Sequence, residues 1–345
     1  MIRFLVLLND LPPPKRGAMG CTLYNFLRMF VPAREVAAVL PSELDARRPL
    51  ATDLLFVGVP TSLQREQLRG IRYRQAVLFD YSDSAEPAWC NSDEALLRSL
   101  TDRYLRPFVD RKQDFALRMG TLPLYRKQKL AWCIRAKNWY QELTSRKLCR
   151  HHDVCFLGSP TRLPEARNGR RIPYDQRVEW LLELTCPESP YSLFGGLAPA
   201  KSELQQFAEL RATYGNLDRI TWARRRINFF SYFYHLMHSK VALAPAGNAR
   251  WTYRHYEAIY AGAAVVSTDL RDCDLLVPLP QDGIIMVPDH APVTPAIAQA
   301  MRWREDHPDQ LEENVRFLER YYTGGRFTPD KPAAFKRLLA QLDAS

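Results

Sequence analysis

The chain has 345 residues, 46% of them hydrophobic, and carries a formal net charge of +10 at pH 7. That is enough for two domains of ordinary size, each with a full core, and no run approaches the roughly twenty apolar residues that a membrane helix needs. The basic balance admits phosphate-bearing partners: sugar nucleotides, nucleic acid or an anionic membrane surface.

The seven cysteines form no Cys-x-x-Cys pair, and no His-Cys spacing fits a zinc site. Most sit in apolar runs, where a free thiol behaves as a small hydrophobe, which suggests a reducing compartment. Residues 2–8 are apolar but are cut short by Asn9 and Asp10. Without a basic start or a cleavage-like site, this run reads as a first strand and not as a signal peptide, and a cytoplasmic protein is expected.

Residues 1–150 read as one α/β half. After the first strand comes the loop LNDLPPPKRGAMG, with Lys15, Arg16, Gly17 and Gly20 but no Gly-x-Gly-x-x-Gly and no Walker lysine. A helix is predicted over 22–29. Strands follow over 36–40, 54–59 and 76–80, each ending at a turn signal, with a helix over 62–68. The alternation predicts a parallel sheet. From about 106 to 150 the chain is basic and aromatic, with Tyr125, Trp132, Trp139 and Tyr140 interleaved among lysines and arginines. The composition suits a nucleic-acid or lipid-headgroup surface. The near-helical spacing instead predicts a pair of linking helices whose aromatics pack and whose charges face water.

Residues 151–345 read as the second α/β half. A strand over 153–158 ends in Gly-Ser-Pro-Thr, which puts Ser159, Thr161 and Arg162 on the loop facing an interdomain cleft. A helix over 174–184, a strand over 191–197 and a helix over 201–213 follow. Arg224, Arg225 and Arg226 then precede Phe229, Phe230, Tyr232, Phe233 and Tyr234, an aromatic helix expected to pack on the sheet. The block SKVALAPAGNARWTYRHYEAIYAGAAVVSTDL, residues 239–270, reads as strand, loop, helix and strand. Gly247 and Asn248 suit a tight turn, and Gly262 stops the helix. Beyond it lie a strand over 284–287, with Asp289 near its end, and closing helices over 295–304, 310–321 and 332–342. In such sheets ligands bind at the carboxyl ends of strands, beside helix N-termini. The loop 245–251 occupies that place.

Ser239-Lys240, Pro245-Ala246-Gly247, Arg254-His255-Tyr256-Glu257-Ala258 and Ala261-Gly262 together resemble the donor-binding signature of exostosin-like glycosyltransferases, and more loosely of GT-B glycosyltransferases. The match covers about thirty residues; the rest of the chain agrees only in general organisation. The resemblance implies two Rossmann-like parallel-sheet domains facing a central cleft, the N-terminal one on the acceptor side and the C-terminal one holding a nucleotide-sugar, with the last helix crossing back. It implies transfer of a sugar from a nucleotide-sugar donor, a UDP-sugar, to a hydroxyl on a glycan, a lipid-linked or another acceptor. Glu257 has no second Glu seven or eight residues on, the spacing common in retaining GT-B enzymes, which favours inversion.

In this frame Arg250 and Arg254 are the diphosphate candidates, because the guanidinium fork matches phosphate oxygens. Glu257 is the candidate for the ribose hydroxyls. Ser159, Thr161, Lys240 and Gly247 complete the donor site. Asp10, Asp80 and Asp83 each follow an apolar strand end in the N-terminal half, and one of them is expected to accept the acceptor's proton. Asp272-Cys273-Asp274 reads as turn chemistry, and neither a metal nor any other cofactor is expected. Two rivals remain: a nucleic-acid-binding protein using the basic aromatic segment, and a glycosyltransferase acting on modified bases of DNA. Peripheral contact with a membrane is a further option.

Overall fold

A computed structural model of the chain describes residues 2–8, 22–82, 89, 92–113, 116–122, 128–144, 150–167, 170–222, 227–322 and 333–343. In order the elements are β1 (Ile2–Leu7), α1 (Thr22–Phe30), β2 (Val36–Val39), β3 (Leu50–Gly58), α2 (Arg65–Leu68), β4 (Ile71–Phe79), α3 (Glu94–Leu100), β5 (Arg103–Arg106), β6 (Phe108–Asp110), β7 (Arg118–Thr121), α4 (Gln128–Thr144), β8 (His152–Gly158), β9 (Leu163–Arg167), β10 (Arg170–Tyr174), α5 (Gln176–Leu184), β11 (Leu193–Leu197), α6 (Leu204–Tyr214), α7 (Phe229–Met237), β12 (Ser239–Ala244), α8 (Arg254–Ala261), β13 (Ala264–Thr268), β14 (Cys273–Leu275), β15 (Ile284–Val287), α9 (Thr294–Asp306), α10 (Gln310–Tyr322) and α11 (Ala333–Asp343).

Contacts divide the chain into two compact units. The first is Met1–Tyr125, Asp272–Pro278 and Leu318–Ser345; the second is Arg126–Arg271 and Leu279–Phe317. Each is built on one parallel sheet, so the expected pair of Rossmann-like α/β domains is present. In the first unit the strand order is β2-β1-β3-β4-β5-β7, and in the second it is β11-β8-β12-β13-β15. Numbered along its own stretch of chain, each sheet begins with the doubly wound order 2-1-3-4-5. The strands are near-continuous apolar runs because helices cover both faces of such sheets. In the second unit Val154, Phe156, Val241, Leu243 and Val266 form one core with Trp180 and Leu181 of α5 and Ile297 of α9. In the first, Leu5, Leu7, Leu55, Val57 and Leu78 pack with Leu97 of α3 and Tyr104 of β5.

Three local departures from the sequence expectation have physical causes. Among the described residues the stretch at 106–150 is not a helix pair: it contributes β6 and β7 to the first unit and then one helix, α4, to the second. α4 is tied to the second unit by buried Lys137, whose Nζ donates to the carbonyl of Tyr260 at 2.9 Å. Asp272-Cys273-Asp274 is not a free turn, since β14 pairs antiparallel with β6. Lys112 meets Asp272 at 2.9 Å and Arg111 meets Asp274 at 3.8 Å, so both carboxylates already have cations. The hairpin β9–β10 was not expected either, although the sequence between its strands is Asn168-Gly169, a strong hairpin signal.

The C-terminal helix α11 lies in the first unit. Phe335 packs on Phe26 and Phe30 of α1, and Gln341 Oε1 accepts the Thr121 N–H at 2.7 Å. Gly262 closes α8 with φ 73°, a left-handed conformation that a side chain would resist. Cys133, Cys155, Cys186 and Cys273 are free thiols. Among the described residues no helix is long and apolar enough to cross a membrane.

Candidate functional site

In a parallel sheet of order 2-1-3-4-5, the connections leave the first and third strands in opposite directions and open a crevice at their carboxyl ends. In the second unit those strands are β8 and β12. The loops that follow them, Ser159–Arg162 and Pro245–Tyr253, and the first turn of α8 meet at this edge.

Arg177 ties the two loops together. It is buried in the first turn of α5; its Nε donates to the Ala246 carbonyl at 3.0 Å and its Nη1 to the Ser159 carbonyl at 2.8 Å. Its neighbour Gln176 accepts the Ala246 N–H at 2.7 Å. The packing leaves no room for a side chain at position 247: a Cβ on Gly247 would sit 2.2 Å from Arg177 Nη2 and 2.7 Å from Thr161 Oγ1. Arg162 grips Asp175, just ahead of α5, with a two-pronged ion pair that includes an Nη2–Oδ2 bond of 2.8 Å.

Arg254 is the first residue of α8. Its Nη2 donates to the Leu157 carbonyl at 2.8 Å, and its guanidinium lies 4.7 Å from the centre of the Phe156 ring, so it reaches the carboxyl end of β8. No carboxylate pairs with it among the described residues. Arg250 differs. Its two terminal nitrogens each meet an oxygen of Asp289, beyond β15, at 2.6 Å. The next residue, His290, has φ 59°, an uncommon left-handed conformation for a residue with a side chain. It is held there by its N–H, which donates to the Tyr174 hydroxyl at 2.8 Å, and by ring contact with Tyr174 at 4.2 Å. Burial, reinforced by Glu179 and Asp289, pushes Tyr174 up to about 12, so this hydroxyl keeps its proton.

Three enclosed threonine hydroxyls without a hydrogen-bond partner among the described residues lie at the carboxyl ends of the strands or in the loops beyond them: Thr161 Oγ1, Thr252 Oγ1 and Thr268 Oγ1. An unmet buried donor or acceptor costs about 1–3 kcal/mol, so several at one edge indicate a place that a polar ligand or water completes.

The structure therefore brings Ser159, Thr161, Gly247, Arg250 and Arg254 to one edge. It does not bring Lys240 there. Lys240 is the second residue of β12, at the opposite end of the strand, and its Nζ pairs with Asp153 at 2.7 Å. Glu257 lies one turn along α8, where its charge helps to raise Tyr232 of α7 and Cys133 of α4, both already pushed up mainly by burial. Asp80 is buried and fully engaged. It accepts from the Ser82 N–H and Oγ, each at 2.7 Å, and from the Tyr104 hydroxyl at 2.8 Å, with Arg106 Nε at 3.4 Å. A carboxylate so occupied braces the ends of β4 and β5. Asp10 and Asp83 lie outside the described residues.

His255 is structural. It is fully buried, its Nδ1 lies 2.8 Å from the Thr252 carbonyl and its Nε2 lies 2.8 Å from Ser267 Oγ. The carbonyl can only accept, so Nδ1 carries a hydrogen, while the Ser267 hydroxyl beside Nε2 also donates to the Thr268 carbonyl at 2.7 Å. Burial lowers its pKa to about 4. Arg177 went unnoticed in the sequence, although a signal existed: a cation in the first turn of a helix opposes the helix dipole and needs another reason to be there. Among the described residues no group of three or more His, Cys, Asp or Glu side chains is placed to hold a metal ion.

No protein-family model and no curated protein matches the chain. Solved structures similar to it include a sucrose-phosphate synthase from Thermosynechococcus elongatus, at 15% identity over 84% of this chain and 74% of that one, with a TM-score of 0.45. Another is Anabaena HepE in complex with UDP, at 11% identity over the whole of both chains, TM-score 0.43. A third is the UDP-GlcNAc 2-epimerase of Neisseria meningitidis bound to UDP-GlcNAc, at 9% identity over 99% of each chain, TM-score 0.41.

Proposed function

We propose that the chain is a glycosyltransferase of the GT-B kind, and exostosin-like in its donor-binding segment, that holds a nucleotide-sugar at the carboxyl ends of β8 and β12. The observation that carries this reading is Arg254: a cation with no carboxylate partner among the described residues, at the N-terminus of α8, beside the switch point of the sheet. An arginine there opposes the helix dipole by about 0.3–1 kcal/mol, and a bound anion reverses the sign for both charge and dipole. A diphosphate with its attached nucleoside fits an edge that also offers Thr161 and Thr252 hydroxyls and a glycine loop pinned by Arg177.

In the reaction, an acceptor hydroxyl oxygen attacks the anomeric carbon, the bond to the diphosphate oxygen breaks, and the nucleoside diphosphate leaves with the electron pair. Arg254 and the α8 dipole meet the charge that develops on the leaving group, in place of a metal ion. Glu257 takes the ribose hydroxyls. Attack from the face opposite the leaving group inverts the anomeric centre, and the hydroxyl proton passes to a carboxylate. With Asp80 occupied, Asp10 or Asp83 is left for that role. The donor is a UDP-sugar.

The test is to incubate the protein with UDP-, GDP-, CMP-, ADP- and TDP-sugars, with and without hydroxyl acceptors, and to follow nucleotide release and product configuration by NMR. The expected result is consumption of one nucleotide class, UDP, with an inverted product, reduced in Arg254→Ala. Absence of turnover with every donor, together with absence of binding, would remove the reading.

A further inference from the structure

We infer that the outer faces of α4 and α7 form a docking surface for an anionic lipid bilayer. This does not depend on the proposed activity. α4 turns Cys133, Ile134 and Lys137 inward, and α7 buries Tyr232, Phe233 and Leu236. The opposite faces are unusually apolar. Trp132 is 55% exposed, Trp139 65% and Leu143 65%, with Tyr140 beside them. These positions recur at the spacing of a single helix face. On α7, which packs against α4, Phe230 and Tyr234 are one turn apart and about half exposed. Tryptophan is normally among the more buried side chains, so two exposed on one helix, with further aromatics on its neighbour, mark an interaction surface.

Three observations choose a bilayer as the occupant. The mix of Trp and Tyr with Leu143 and Phe230 suits the membrane interface, where rings with a polar tip sit at headgroup level and purely apolar groups go deeper. The Arg135 guanidinium lies 5.4 Å from the centre of the Trp132 ring, so its charge is held at the edge of the apolar stripe, where a lipid phosphate would lie. The chain's net charge of +10 draws it toward an anionic surface. Nucleic acid fits the stripe less well, because duplex binding rests on several phosphate contacts and not on apolar area, and the exposed positions of this stripe are Trp132, Trp139, Tyr140 and Leu143.

The experiment is co-sedimentation of the full chain with vesicles of phosphatidylcholine alone and of phosphatidylcholine mixed with phosphatidylglycerol, followed also by tryptophan emission. Binding to the mixed vesicles, a blue shift, and loss of binding as salt rises are expected. Trp132→Ser with Trp139→Ser should weaken partitioning by about tenfold or more while the melting temperature stays near that of the parent. Arg135→Glu, which keeps the apolar stripe, should weaken binding to the mixed vesicles alone. The inference is overturned if the parent binds neither vesicle, if the double variant binds as well as the parent, if the chain instead shifts a labelled oligonucleotide through the same tryptophans, or if light scattering shows a dimer that the double variant dissolves.

Discussion

Arg250 and Asp289 form a two-pronged ion pair, 2.6 Å at each prong, that joins the loop after β12 to the loop after β15. The pair turns a residue with the chemistry of a phosphate ligand into a brace. Arg250 is nearly buried and Asp289 only partly so, with side-chain exposures of 10% and 27%. Arg250→Ala should therefore lower stability, by about 1.5–3 kcal/mol, because it leaves a carboxylate unpaired at a desolvated edge. Asp289→Asn in the same background should recover part of that loss. Urea unfolding of the two variants checks this; equal stability of parent and Arg250→Ala would show the pair to be inert.

Gly247→Ala tests the tightness of the pinned loop. The added carbon meets Arg177 Nη2 at 2.2 Å, and that guanidinium cannot swing away without giving up the Ala246 and Ser159 carbonyls. Overpacking of this kind costs about 1–3 kcal/mol. Arg177→Met, which frees the space but loses the ties, should destabilise too, and in the double variant the two losses should be less than additive. Strict additivity by thermal or denaturant unfolding would mean that the two residues do not share a contact.

His255 predicts an acid limb of stability. Its folded pKa, about 4, lies below the ordinary value of 6.5, so between those values the unfolded chain binds a proton that the folded chain does not. Stability is full above about pH 6.5 and falls as pH drops toward 4, by up to about 3 kcal/mol from this residue. His152, lowered first by burial and then by His151 and His238, adds in the same direction. Denaturant unfolding at a series of pH values should show the slope, and His255→Gln should flatten it. An unchanged slope in that variant would assign the acid limb elsewhere.

Much of the fold was legible because it is written in apolar runs and punctuation. The strands at 241–244 and 263–267 and the helix stopped by Gly262 come from local pattern alone, and so does the parallel sheet. The edge at the carboxyl ends of the strands follows from that sheet, which is why Ser159, Thr161, Gly247 and Arg254 were found together. What the pattern does not carry is pairing over long separations. Nothing local says that Arg250 meets Asp289, that Asp80 is spent on Tyr104 and Arg106, or that Lys240 is held by Asp153 at the far end of its strand. α4 misled for a related reason: a helical period in aromatic residues shows that one face is apolar, and only the fold shows that Trp132 and Trp139 are on the outside.

Calorimetric titration of the parent and of Arg254→Ala with UDP, GDP, ADP, CMP and TDP most directly tests whether the β8–β12 edge is a nucleotide site. UDP should bind the parent saturably and raise its melting temperature, as a ligand of the folded state must. Arg254→Ala should remain folded and bind roughly ten- to a hundredfold more weakly, the loss of a charged hydrogen bond to phosphate, with Arg254→Lys in between. No binding of any nucleotide to the parent, or equal affinity in parent and Arg254→Ala, would contradict the assignment.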